Sequence, residues 1–220
     1  MKLNSAGASA VTRNLPQNFR KQGSLNARTT LPEGYVKLGE INLKKNKRLA
    51  LKLNIAGTFL FIFSFFLFSS SVAYTRPSLI GTSLTIGAGV IVVIIGLTLS
   101  LLTIHELIHG VFLWAFTRSK PTFALHLFYA YAGAPDWYIP RRQYAITAIA
   151  PLIIIDALGA LLMLWVPLGW VLALVYMMAL NTGGSMGDLM VLNRMFKLSS
   201  TSLFNDTGDV FTFYEHNSTN

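Results

Sequence analysis

A hydrophobic run from about Thr82 to Phe116 carries three ionisable side chains within five positions, His105, Glu106 and His109. A run of that length reads as a helix crossing a bilayer. Ionisable groups inside such a segment are energetically costly and need a compensating partner. Together these two facts constrain the chain more than any other feature. The run belongs in lipid, and its polar side chains must meet something there.

The spacing narrows the choice. His105 and His109 stand four residues apart, so they share one helical face and can bind one metal ion. Glu106 lies beside them, where a carboxylate can take a proton from a water activated by the metal. His-Glu-x-x-His on a helix is the pattern of zinc proteases. The chain has no cysteine, which excludes disulfides, thiolate ligands and a cysteine nucleophile. Any Zn2+ is therefore held by nitrogen and oxygen.

Composition supports the membrane setting: 53% of residues are hydrophobic and only 12% are charged, unlike a soluble domain. The net charge of +9 gathers in the first 52 residues and at the ends of apolar runs. That distribution fits membrane topology and not a nucleic-acid surface.

Four apolar runs are evident: about Leu49 to Ala73, Thr82 to Phe116, Tyr144 to Val166, and from near Trp170 towards Arg194. The second is too long for one perpendicular span and must tilt, kink or project. Pro151 is expected to kink the third. The aromatic stretch Phe123 to Tyr131 reads as a strand or hairpin arm at the membrane surface. The expected fold is an all-α integral membrane protein with four transmembrane helices and a short interfacial β-strand or hairpin after the second. Residues 1–31 are expected to be a disordered basic tail, with a cleavable targeting peptide as the alternative. Residues 32–197 form the membrane domain, and 198–220 a polar cytoplasmic segment. Counting Lys52 at the boundary, seventeen of the eighteen Lys and Arg lie on one side, and the two opposite loops hold only Arg76. The positive-inside rule then makes both termini cytoplasmic.

Depth selects a third ligand. His109 lies about nine residues before Arg118, or roughly 13 Å from that helix end, and Asp188 about six residues before Arg194, or roughly 9 Å. Both fall in one layer of the cytoplasmic half. Asp188 would complete a His-His-carboxylate set with a position left for water, and ionised Glu106 would neutralise the cluster. Asp156 and His126 compete for the third place. Asp156 can instead orient a histidine from behind or stay protonated. Asn181 reads as a polar helix-packing contact. Gly183, Gly184, Ser185 and Gly187 are expected to let the motif helix approach closely and to permit a local bend that turns the Asp188 carboxylate inward.

His-Glu-Leu-Ile-His-Gly in a span, an aromatic hairpin after it, Ala-Pro-Leu in the next span and Gly-Asp in the last resemble a bacterial membrane family of putative zincin peptidases, a domain of unknown function. Leu-Pro-Glu-Gly-Tyr before the first span and Asp206-Thr207-Gly208-Asp209 near the end are similar to it too. The chain also resembles, more broadly, site-two intramembrane metalloproteases. The resemblance implies zinc on His105, His109 and a later aspartate matched by Asp188, with Glu106 as general base. Here that aspartate sits in Ser-Met-Gly-Asp-Leu, whereas those proteases have Asn-Pro-Asp-Gly or Leu-Asp-Gly.

The expected activity is that of a zinc metallopeptidase in a bacterial plasma membrane, acting on a membrane-embedded or membrane-proximal peptide, with the lipid bilayer and no nucleic acid as partners. The alternative is a non-proteolytic scaffold or sensor with a structural metal site.

Overall fold

The computed structural model describes residues 26–79, 87, 89–125, 130–208 and 210–217. Most of the expected basic tail, together with His126 and Asp209, lies outside the described residues. The elements run β1 (Tyr35–Asn42), α1 (Lys47–Thr75), α2 (Val90–Thr117), β2 (Thr122–Leu125), β3 (Ala130–Pro140), α3 (Arg141–Leu162), α4 (Leu168–Gly184), α5 (Met186–Phe196), β4 (Leu203–Asp206) and β5 (Val210–His216).

The fold is not all-α. Five strands form one antiparallel sheet in the order β1-β5-β4-β3-β2. The hairpin after α2 is present as β2 and β3, but it is only one edge of this sheet. The strand before α1 and the two strands after α5 complete it. Tyr35-Val36-Lys37 and Val210-Phe211-Thr212-Phe213-Tyr214 are rich in β-branched and aromatic residues, which suit a pleated surface. A turn at Gly208, with φ +86, joins β4 to β5, a left-handed conformation that glycine adopts without strain. The Gly208 N–H donates to Asp206 Oδ1 at 2.7 Å.

α1, α2 and α3 are long and apolar enough to cross a membrane. Large apolar side chains such as Phe59, Phe63, Ile91 and Val92 remain exposed on them, as lipid-facing residues would be. The expected fourth transmembrane helix is divided. α4 has 17 residues, about 25 Å of helix and short of a hydrocarbon core of roughly 30 Å. At Ser185 the chain breaks into α5. The break falls in Asn181-Thr182-Gly183-Gly184-Ser185-Met186-Gly187, where glycines weaken helix propagation and the Ser185 hydroxyl donates back to the Asn181 carbonyl at 2.8 Å.

Chain connectivity puts the sheet at one end of the helices. β1 leads into α1, α2 leads into β2, β3 runs directly into α3, and α5 leads into β4. Leu113, Ile139, Tyr144, Met195, Phe204, Phe211 and Phe213 form the core where the sheet meets α2, α3 and α5. Phe204 and Phe211 stack with centroids 5.4 Å apart. At the other end, Arg76 donates to the Val166 carbonyl at 2.6 Å and the Met163 carbonyl at 3.3 Å, tying the end of α1 to the α3–α4 turn.

The glycines of α4 face a different neighbour from the one expected. A Cβ on Gly183 would stand 2.8 Å from the Gly57 carbonyl oxygen, and one on Gly57 would stand 2.7 Å from that of Gly183. The close approach is between α4 and α1, not α4 and the motif helix. Around Gly184 and Gly187 there is open space.

Candidate metal centre

Helical periodicity turns His105 and His109 to the same side of α2, with ring centroids 4.9 Å apart. Both are buried, at 9% and 8% exposure. The break at Ser185 brings Asp188 into the first turn of α5, where a carboxylate is favoured by the helix dipole. Asp188 reaches both rings: its Oδ2 lies 3.3 Å from His105 Nε2 and its Oδ1 lies 3.4 Å from His109 Nε2. One ligand atom from each of the three residues lies within 4.8 Å of the others.

The opposite ring nitrogens have partners of their own. His109 Nδ1 lies 2.9 Å from the Thr147 carbonyl oxygen. A carbonyl only accepts, so Nδ1 carries a proton, and in the neutral ring Nε2 then has the lone pair. His105 Nδ1 lies 3.0 Å from Asn181 Oδ1. The Asn181 amide donates to Asp156 Oδ1 at 2.9 Å and to the Pro151 carbonyl at 3.4 Å, which leaves its oxygen to accept from His105. In the neutral rings both Nε2 atoms, which face Asp188, thus have lone pairs to offer a cation. Two neutral imidazoles and one carboxylate are a donor set suited to zinc. The residues present fit the metal that the motif implies.

Asp156 is not part of the three-residue group. Its Oδ1 accepts from Asn181, and its Oδ2 accepts from the Thr182 hydroxyl at 2.7 Å. It stands behind His105, with Asn181 between them. Asn181, at 2% exposure, is more than a packing contact, because it joins His105 of α2 to a carboxylate of α3.

Glu106 is half-buried beside the histidines. The Ala132 backbone N–H of β3 stands near its carboxylate. The sheet therefore reaches the motif directly. Next to His109, Gly110 leaves room for the Phe123 ring of β2, which a Cβ there would strike. The Thr147 carbonyl and the Ala132 amide are backbone groups, which a motif search cannot find.

Residues 98–203 match the family model described as "Putative zincin peptidase". Over that stretch the chain is similar to this family. The matched segment runs from the third turn of α2 to the start of β4. It includes His105, Glu106, His109, Thr147, Asp156, Asn181 and Asp188, while β1, α1 and β5 lie outside it. The family description implies a metal, and zinc is the metal of zincins. No curated protein and no solved structure matches the chain.

Proposed function

We propose that the protein is a zinc metallopeptidase that hydrolyses a peptide bond in or near the cytoplasmic half of the membrane. The convergence of His105, His109 and Asp188 beside Glu106 carries this reading. His105 and His109 hold zinc through Nε2, and Asp188 holds it through its carboxylate. Zinc, when bound, supplies Lewis acidity that acidifies a water and polarises a carbonyl. Glu106 takes the water proton onto its carboxylate and passes it to the amine nitrogen as the peptide C–N bond breaks.

The substrate in this reading is a membrane-embedded or membrane-proximal peptide. β2 is the last strand in the sheet order, and its Phe123 lies against Gly110, one residue past His109. A peptide adding to that edge as a further strand would be held extended beside the motif helix. The excess of basic residues at the sheet end favours the cytoplasm for that end. A closed structural site with Asp156 as fourth ligand is disfavoured, because both oxygens of Asp156 are engaged by Asn181 and Thr182.

The test is cleavage of a panel of single-span peptides in lipid vesicles, with products read by mass spectrometry. Zinc-loaded wild type should cut a subset, and Glu106→Gln should cut none while still binding zinc. Equal cleavage by Glu106→Gln, or no cleavage by zinc-loaded wild type across the panel, contradicts the reading.

A further inference from the structure

α3 supplies no member of the three-residue group, yet it stands behind both histidines. Two separate features of this helix produce that arrangement.

The first is Pro151, inside α3. Proline has no N–H, so the carbonyl four residues earlier loses its ordinary helical donor. That carbonyl belongs to Thr147. In a buried or lipid-embedded helix a freed carbonyl must find another donor. Here His109 Nδ1 lies 2.9 Å from it. The second feature is Asp156, further along the same helix. It accepts from the Asn181 amide at 2.9 Å and the Thr182 hydroxyl at 2.7 Å. Asn181 turns its oxygen to His105 Nδ1 at 3.0 Å. A carboxamide whose NH2 is committed to a carboxylate has only its oxygen left to offer on the other side.

We propose that α3 is the orienting element of the metal centre: Pro151 frees the Thr147 carbonyl to hold His109, and Asp156, acting through Asn181, holds His105, so that both rings present Nε2 to the metal. Pro151, Asp156 and Asn181 are positioning residues. The inference rests on the reading of His105, His109 and Asp188 as metal ligands. Groups that fix the second nitrogen of a ligand histidine typically change metal affinity by about 10–100-fold.

The test is zinc affinity of the detergent-purified full chain, by competition with a chromophoric chelator, beside thermal stability of the zinc-free protein. Pro151→Ala restores an N–H that competes for the Thr147 carbonyl. Zinc affinity should fall by about 10–100-fold, while zinc-free stability holds or rises, since alanine favours a helix over proline. A purely structural proline would move both together. Asn181→Asp sets two carboxylates against each other, and Asp156→Asn leaves one acceptor oxygen for two donors, Asn181 and Thr182. Each single change should weaken zinc binding. The double exchange, Asn181→Asp with Asp156→Asn, rebuilds the chain of bonds with reversed roles. The aspartate at 181 accepts from His105. The asparagine at 156 donates to that aspartate and still accepts from Thr182. Affinity should recover most of the loss. Wild-type affinity in Pro151→Ala and in both single exchanges overturns this inference alone, as does a folded double variant no better than the singles. A wild type that binds no zinc overturns the ligand reading and this inference together.

Discussion

Asp188 of α5 and His109 of α2 face each other with Oδ1 and Nε2 3.4 Å apart. The same carboxylate also reaches His105, so the three donor atoms come together only when α2 and α5 are both in place. A ligand that binds only the folded state stabilises it, by about 4 kcal/mol at a thousandfold excess over Kd. Zinc added to chelator-treated wild type should therefore raise its melting midpoint in detergent. The increase should be lost or nearly lost in Asp188→Ala. An equal increase in the variant would place the third ligand elsewhere.

The contact between Gly57 and Gly183 predicts a contrast within α4. Gly183→Val has no room for its side chain against the Gly57 carbonyl. It should destabilise the protein by about 1–3 kcal/mol, in the range of overpacked sites. Gly184→Ala meets open space and should be neutral or slightly stabilising. Thermal unfolding of the two variants checks this, and similar losses in both would contradict the packing.

Asp206 predicts a pH dependence at the junction of sheet and helices. Burial raises its pKa above the ordinary carboxylate range, although the Tyr144 hydroxyl and the Gly208 N–H both donate to it. A carboxyl whose folded pKa is raised binds protons more tightly when folded. Its contribution to stability is fully present below the unfolded pKa, about 4, and is lost as pH rises through the folded pKa. Stability of wild type minus that of Asp206→Asn should fall as pH rises from about 4 towards neutral. Thermal melts across that range test the sign, and a difference that grows with pH would contradict it.

The sheet shares one core with the helices, so β4 and β5 should be needed for stability. Phe204 is fully buried and stacks on Phe211. Phe204→Ala should cost about 3–5 kcal/mol. Deleting β5 would leave β1 without its partner and should cost more. Detergent stability of both variants reads this out, and a deletion variant as stable as wild type would contradict it.

The centre was more legible in the sequence than the fold. His105, Glu106 and His109 could be read locally, because a helix of known period determines which side chains share a face. Asp188 was legible from depth, since a bilayer orders residues by distance from helix ends. The sheet was harder to see. β1 and the β4–β5 pair are separated from the hairpin by long helices, and strand pairing depends on partners far away in sequence. Val210-Phe211-Thr212-Phe213-Tyr214 did carry a strand signal, but its polar surroundings masked it. The small residues Gly183 to Gly187 read as a bend that turns Asp188 inward, yet the full break at Ser185, which starts a new helix with Asp188 in its first turn, depended on packing. Thr147 was invisible as a residue type. Pro151, four positions later, was the only trace of its free carbonyl.

The most direct test of the metal centre is the zinc content of the detergent-purified protein by mass spectrometry, beside His109→Ala and Asp188→Ala. The account predicts about one zinc per chain in wild type, lost from both variants. Zinc retained in Asp188→Ala, or none in wild type after zinc supplementation, would contradict it.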